Sequence, residues 1–293
     1  MVGAAPNGTS PVVTDETTGL KKFLLKSSSG SSAEVYLHGA HLTSWKNNSG
    51  QEQLFVSKLA VFKPPKAIRG GVPVCFPQFG DMGPVKAQHG FARNTEFTVV
   101  NATADSVTLS LSPNEEQRQG HFPDHTLYVK ITVGSDSLTE ELKVVNGTSA
   151  ETPLTFTSAL HTYFRVSDIS QSHVEGLSGL KYLDNMQNRQ EGRDESQVIS
   201  VNGEIDRIYV KAPDHLKIVD KKGSKVISIQ KTNFPDAVVW NPWIDKAKGM
   251  ADFGDEEYKE MICVEAALAT SGPVELASGK SWVGTQILKS SKL

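Results

Sequence analysis

Cysteine is scarce in this chain, which has Cys75 and Cys263 as the only two in 293 residues. Two thiols are too few for a disulfide framework or for a zinc site built from cysteines. Both lie in apolar segments, "VPVCFP" and "MICVEAA", as buried thiols usually do. The sequence therefore excludes the small disulfide-stabilised classes and is typical of a protein in a reducing compartment.

Long apolar runs and an excess of one charge are missing as well. No stretch approaches the roughly 18 apolar residues of a membrane span. Lys and Arg number 30 against 33 Asp and Glu, which gives a net charge of −3. A near-neutral chain is not typical of proteins that bind nucleic acid or membranes through a general positive field. An anionic ligand would have to meet a local cluster of cations.

The two ends of the chain lead to predictions about location. The first 20 residues lack the basic and apolar regions of a secretory signal, and we expect residues 1–20 to be a flexible segment. The last three residues, Ser291, Lys292 and Leu293, match the S-K-L peroxisomal targeting tripeptide. We therefore expect a cytoplasmic or peroxisomal protein.

Short segments with alternating apolar residues recur along the chain. Examples are "SVTLSLS", "LYVKITVG", "KVISIQKT" and "SWVGTQIL", and turn sequences such as "GSDS" and "KKGS" lie between such segments. Helical periodicity is scarce, and no linker divides the middle. This pattern predicts one all-β domain over residues 21–290, built as an antiparallel sandwich or barrel. The polar residues 168–203 are predicted to form a long surface loop on the binding side.

Two ionisable residues lie in strands that are otherwise apolar. In "PLTFTSALHTYFRV", Leu160 and Phe164 share one face of the predicted strand and His161 takes the other, because strand side chains alternate. In "MICVEAA", Glu265 is a lone carboxylate, and a buried carboxylate needs a partner. Each residue is consistent with a hydrogen-bonded structural role or with acid–base chemistry.

Two turn-like segments carry arginines. Arg69 precedes Gly70 and Gly71 in "IRGG", and Arg93 follows Gln88 in "QHGFARN". Glycine at such a place indicates unusual dihedral angles or a close backbone approach. Two converging guanidinium groups would suit an anionic ligand, although a tight turn with a solvated arginine is the plainer interpretation. "ASGKS" lacks the first glycine of a phosphate-binding loop, and the histidines have no metal-ligand spacing.

Six segments in a fixed order carry a family resemblance: "IRGGVPVCFPQFG", "QHGFARN", "LHTYF", "VVWNPW", "KAKGMADFGDEEY" and "MICVEAA". Together they resemble the glucose-6-phosphate 1-epimerases, which are sugar-phosphate mutarotases of the galactose mutarotase-like superfamily. The resemblance covers residues 22–288. It implies a large antiparallel β-sandwich, a supersandwich, with a groove across one sheet. It also implies interconversion of the α and β anomers of a hexose 6-phosphate.

The resemblance assigns roles to individual residues. His161 and Glu265 would be the catalytic pair, and four further residues would bind the substrate: Arg69, Gln88, Arg93 and Asp206. A base takes the O1 proton and an acid protonates the ring oxygen, so no metal and no cofactor is expected. An ionised Glu265 and a protonated His161 would each favour the other's charge. The expected partner is a small sugar phosphate bound by a monomer, with no nucleic acid and no membrane.

Two other functions stay open on the sequence. The first is an aldose 1-epimerase for neutral sugars, which would need no arginine cluster. The second is a sugar-phosphate-binding β-sandwich without catalysis, which would have no reason to keep both His161 and Glu265.

Overall fold

The protein is described by a computed structural model over residues 12–293, and it is built almost entirely of strands. In chain order the strands are β1 (Val12–Thr14), β2 (Lys21–Lys26), β3 (Ser32–Tyr36), β4 (His41–Lys46), β5 (Val74–Cys75), β6 (Thr98–Ala102), β7 (Ser106–Leu111), β8 (His125–Val133), β9 (Ser137–Asn146), β10 (Leu154–Phe156), β11 (Ser158–Leu160), β12 (Tyr163–Arg165), β13 (Ser172–Glu175), β14 (Lys181–Asp184), β15 (Gln190–Arg193), β16 (Ile199–Ser200), β17 (Ile205–Tyr209), β18 (His215–Asp220), β19 (Lys225–Thr232), β20 (Asp236–Asn241), β21 (Met261–Leu268), β22 (Val274–Leu276) and β23 (Ser281–Lys292). The α-helices of the described residues are α1 (Glu115–Arg118) and α2 (Trp243–Gly249), and 3-10 turns span Ala92–Asn94, Ile169–Gln171, Asn185–Gln187 and Glu257–Glu260.

Two large antiparallel sheets face each other. The nine-stranded sheet has the order β16-β13-β18-β19-β23-β9-β8-β7-β6. The eight-stranded sheet has the order β15-β14-β17-β20-β21-β11-β5, with β12 also paired to β21. One apolar core takes residues from both sheets, such as Leu142 and Val129 from the first and Val264 and Leu160 from the second. The predicted all-β sandwich is confirmed, and two smaller sheets, β1–β4 and β10–β22, complete it.

The side chains of β21 alternate between the core and the opposite face of the sheet. Ile262 and Val264 belong to the core between the sheets, whereas Cys263 packs in a separate cluster on the opposite face. Glu265 shares that opposite face, since it lies two residues beyond Cys263. Alternate residues of β21 thus serve opposite faces of the sheet.

The segment around His161 is more broken than the single predicted strand. It forms three short strands, β10, β11 and β12, which are interrupted at residue 157 and at residues 161–162. At the second break the Thr162 amide donates to the Leu160 carbonyl over 2.9 Å, which closes a three-residue turn with His161 at its centre. Leu160 and Phe164 still face the core as predicted.

The polar residues 168–203 are a correction to the sequence analysis. They were predicted as a loop, but they contain β13, β14, β15 and β16. The strands are short, β15 is largely exposed, and β14 is only partly buried. They therefore lack the apolar alternation on which strand prediction depends.

The ends of the chain bear on two further predictions. Of the segment predicted to be flexible, residues 1–11 lie outside the described residues, whereas Val12–Thr14 pairs with β2. Ser291 and Lys292 are the last residues of β23 and pair with β19. The use of the tripeptide as a targeting signal stays a prediction. Within residues 12–293, no helix has the length and apolar character needed to cross a membrane.

A carboxylate lies in the core between the sheets. Glu140 of β9 is fully buried, and its Oε2 accepts a hydrogen bond from Nε2 of Gln286 on the neighbouring β23 over 2.8 Å. Its Oε1 has no hydrogen-bond partner among the described residues. Burial raises the pKa of Glu140 from its ordinary 4.5 to about 8, so the side chain is mostly neutral at pH 7 in the folded protein.

The raised pKa of Glu140 makes stability depend on pH. The unfolded chain releases this proton above pH 4.5, whereas the folded protein keeps it until about pH 8. The stabilising contribution is thus complete below pH 4.5 and falls by about 1.4 kcal/mol per pH unit as the pH rises through this window. We expect Glu140→Gln, which keeps the acceptor, to raise the melting temperature by several degrees at pH 8 and by less near pH 5.

Calorimetry from pH 5 to pH 8 measures this difference. Glu141→Gln is the matched control, since the Glu141 side chain is partly exposed beside Lys130. A Glu140→Gln protein whose melting temperature follows the wild type at every pH would show that Glu140 is ionised in the folded state.

Candidate active site

A large pocket opens on the face of the eight-stranded sheet that points away from the core. Its cavity volume is about 890 Å³. All six residues predicted for the site line it: Arg69, Gln88, Arg93, His161, Asp206 and Glu265. The structure thus brings together residues that are up to 196 positions apart in the chain (265 − 69). Their roles stay predictions.

Neighbouring strands set the floor of the pocket. Asp206 of β17 is paired with Trp240 of β20, and Val238 of β20 is paired with Glu265 of β21. His161 follows β11, which pairs with β21 on its other side. The two carboxylates and the imidazole therefore follow one another across the sheet, and the pairing register fixes their order.

His161 and Glu265 form a close and buried pair. His161 Nδ1 lies 3.2 Å from Glu265 Oε1, and the two residues are 8% and 2% exposed. The atoms are within ion-pair distance but are not aligned for a hydrogen bond, and Glu265 Oε2 also has no hydrogen-bond partner in residues 12–293. The imidazole is stacked on the Tyr163 ring, with centroids 4.8 Å apart and planes at 11°. The pair therefore has polar atoms left for a ligand.

The buried surroundings of this pair oppose the charges that the sequence analysis expects. Burial lowers the pKa of His161 well below 6.5, and the nearby charges of His89, Arg93 and Arg69 lower it further. Burial also raises the pKa of Glu265 well above 4.5, with Asp206 adding to the effect and Arg93 opposing it. Desolvation thus opposes the mutual attraction of the two groups and shifts both pKa values toward the neutral forms. The imidazolium and carboxylate expected from the sequence stay a prediction.

The glycine pair after Arg69 has the close approach that the sequence predicts. Gly70 and Gly71 have φ of +114° and +62°, and a Cβ on Gly71 would lie 2.2 Å from the Leu42 carbonyl oxygen. Arg69 Nε is 3.2 Å from Asp252 Oδ1, and its Nη1 donates to the Tyr163 hydroxyl over 3.4 Å. Arg69 is thus held at the wall of the pocket with its charge partly balanced.

The positive charge of Arg93 is balanced much less than that of Arg69. Arg93 lies in the 3-10 turn Ala92–Asn94, and its Nη2 donates to the carbonyl of Gln88 over 2.9 Å. The other cations that line the pocket have acidic partners: Arg69 with Asp252, Arg189 with Asp81 and Lys246 with Glu204. In the part of the chain that the structure describes, Arg93 has none, so it is the cation most available to an anion.

Asp206 and Gln88 occupy different depths of the pocket. Asp206 accepts a hydrogen bond from Asn185 Nδ2 over 2.7 Å, and burial raises its pKa. Gln88 is exposed at the rim. Asp206 can accept hydrogen bonds from ligand hydroxyls beside His161 and Glu265, whereas Gln88 can contact only the outer part of a ligand.

The pocket geometry agrees with comparisons to known proteins. A family model described as aldose 1-epimerase matches residues 21–289. The chain belongs to the aldose 1-epimerase family. The resemblance carried by the six sequence segments is thereby confirmed.

Individual relatives of this aldose 1-epimerase family member cover most of the chain. A Cenchrus ciliaris protein, provisionally named glucose-6-phosphate 1-epimerase, is 42% identical over 277 residues, which cover 91% of this chain and 84% of that protein. An Escherichia coli protein with the same provisional name is 35% identical over 246 residues, with 81% and 80% covered. The solved structure of a provisionally assigned mutarotase from Salmonella typhimurium has a TM-score of 0.84 at 30% identity, with 97% of each chain covered.

One group in this family member could offer ligands to a metal. The ligand atoms of His161, Cys263 and Glu265 lie within 4.8 Å of one another. Burial and the nearby Glu265 raise the pKa of the Cys263 thiol well above 9. A coordinating thiolate would have to form against this raised pKa, and the absence of a metal stays a prediction.

Several residues of the pocket were not found from the sequence. Asn185, Asn188 and Arg189 come from the region predicted as a loop, and Lys246 comes from α2. The expectation that residues 168–203 lie on the binding side is the only signal that pointed to the first three. Nothing in the sequence distinguished Lys246 from a solvated lysine of a short helix.

Proposed function

We propose that this aldose 1-epimerase family member interconverts the α and β anomers of a hexose 6-phosphate, with glucose 6-phosphate as the substrate. The observation that carries the proposal is the combination, in one pocket, of a buried acid–base pair and an arginine that has no acidic partner within residues 12–293. The names of the relatives from Cenchrus ciliaris and Escherichia coli support the same substrate.

Exchange of anomers needs one proton to leave O1 and another to reach the ring oxygen. His161 and Glu265 can do both, because an imidazole and a carboxyl group lie 3.2 Å apart in the pocket. In ring opening, Glu265 takes the O1 proton, the C1–O1 bond becomes a carbonyl, the C1–ring oxygen bond breaks, and the His161 imidazolium protonates the ring oxygen. After rotation about C1–C2, the reverse transfers close the ring on the other face. Each positioned proton transfer contributes about 10²–10⁴-fold.

The substrate itself would supply the charge state that opening needs. The positive charges of Arg69 and Arg93 add to burial in lowering the pKa of His161. A phosphate dianion bound by these arginines would cancel their effect and raise the pKa of His161. Binding of the 6-phosphate therefore favours the protonated His161 that ring opening needs.

Two-dimensional NMR exchange spectroscopy on equilibrated glucose 6-phosphate tests the proposal. We expect α–β cross-peaks that grow in proportion to added protein, and much weaker ones with free glucose. Equal enhancement for both sugars would favour an epimerase of neutral sugars. Saturable binding without exchange above the buffer blank would leave a binding protein and refute the enzyme.

The finer statements about the molecule in the cell rest on the sequence alone. The monomeric state stays a prediction. The cytoplasmic or peroxisomal location stays a prediction as well.

A further inference from the structure

A chain of buried hydrogen bonds connects the core between the sheets to the turn that carries His161. The Thr162 hydroxyl donates to Gln286 Oε1 over 3.1 Å, and Gln286 Nε2 donates to Glu140 Oε2 over 2.8 Å. All three side chains are 0% exposed. Glu140 and Gln286 belong to the nine-stranded sheet, whereas Thr162 lies between strands of the eight-stranded sheet. The chain therefore ties the two sheets together next to the pocket.

The position of the imidazole depends on the turn that Thr162 closes. The Thr162 amide donates to Leu160 over 2.9 Å, and its carbonyl accepts from Val264 over 3.3 Å. The His161 Nδ1 makes no hydrogen bond within residues 12–293. Its ring stacks on the Tyr163 ring and packs edge-to-face with the Trp240 ring, with 6.1 Å between the centroids of His161 and Trp240. A shift of this turn would therefore move the imidazole directly.

Core packing alone does not require these polar groups. Valine has nearly the shape of threonine, and apolar residues at all three positions would be close to neutral or stabilising. A buried carboxylate that lacks a partner for one oxygen, as Glu140 does, has a cost that apolar residues would avoid. Unlike apolar packing, the hydrogen bonds fix the position of one backbone turn, the turn that carries His161.

We propose that Thr162, Gln286 and Glu140 are positioning residues that hold the His161 turn in the geometry needed for proton transfer. The inference rests on the proposed function for its effect on turnover. A displacement of about 1 Å at a reacting group can cost about 100-fold in rate. A turn that is loosened but still packed should lose on the order of tenfold.

Paired substitutions at Thr162 test the inference. Thr162→Val keeps the shape and removes the hydroxyl, whereas Thr162→Ser keeps the hydroxyl. We expect kcat for glucose 6-phosphate to fall about tenfold in Thr162→Val with KM nearly unchanged, and to stay within about twofold of wild type in Thr162→Ser. Thr43→Val is the matched control, because Thr43 is a buried threonine of β4 whose hydroxyl donates to the Glu34 carbonyl.

The Thr43→Val control separates an effect on the position of the imidazole from an effect on the stability of the fold. Thr162→Val and Thr43→Val should both lower the melting temperature, but only Thr162→Val should lower kcat at a temperature where both are folded. A Thr162→Val enzyme with the wild-type kcat would overturn the proposal. So would an equal loss of kcat in Thr43→Val.

A second readout does not need turnover. In ¹⁵N-labelled protein, the imidazole resonances of His161 should shift or broaden in Thr162→Val and stay at their wild-type positions in Thr162→Ser. Identical His161 resonances in all three proteins would overturn the proposal. If the wild type exchanged no anomers, the proposed function would fail, and these resonances would still decide whether Thr162 positions the imidazole.

Discussion

Replacing Glu265 with glutamine is expected to lower kcat for α–β exchange of glucose 6-phosphate by about 10²–10⁴-fold. Glutamine has the shape of the neutral glutamic acid that the raised pKa favours in the empty pocket. The variant should therefore fold and bind the sugar phosphate, while its amide can neither accept nor deliver the proton. The measurement is magnetisation exchange at saturating substrate, with binding followed by calorimetry.

Glu260→Gln is the control for this experiment. Glu260 lies five residues earlier, just before β21, and its half-exposed carboxylate pairs with Arg165. Its replacement should leave kcat unchanged. If Glu265→Gln exchanged anomers at the wild-type rate, the proton transfer would have to be assigned to another carboxylate of the pocket. Asp206 is the nearest one in the order of strands.

The face on which Glu265 lies could be predicted because its neighbours follow the simplest rule of strand structure. Ile262 and Val264 alternate with Cys263 and Glu265, and a period of two residues assigns each set to one side. The pocket as a whole could not be built this way. Its residues come from distant segments, and only the family resemblance placed Arg69, Gln88 and Asp206 in the same site.

The electrostatics of the His161–Glu265 pair could not be predicted from sequence for a different reason. The sequence indicates the attraction between the two groups, but the competing effect is desolvation, which depends on how deeply both groups are buried. At 8% and 2% exposure, desolvation shifts both pKa values toward the neutral forms. The turn at His161 likewise depends on Gln286, which lies 124 residues beyond Thr162 and has no local sequence signal.

Arg93→Ala is expected to raise KM for glucose 6-phosphate by about 10- to 100-fold, because a hydrogen bond to a charged group contributes roughly 1.5–3 kcal/mol. Arg93 lacks an acidic partner in the described residues, so the phosphate would be its main counterion. Arg189→Ala is the matched control, since Arg189 lines the same pocket but pairs with Asp81. Its effect on KM should be several-fold smaller.

A comparison of free glucose with glucose 6-phosphate makes the Arg93→Ala experiment most decisive. Without a phosphate to bind, the arginine lowers the pKa of His161 and also that of Glu265. Because it acts on both partners in the same direction, its removal should leave the exchange of glucose nearly unchanged, while KM for glucose 6-phosphate rises. A proportional loss on both sugars would mean that Arg93 supports the pocket wall rather than the phosphate, and the preference for a phosphorylated sugar would have to come from Arg69, whose charge is already shared with Asp252.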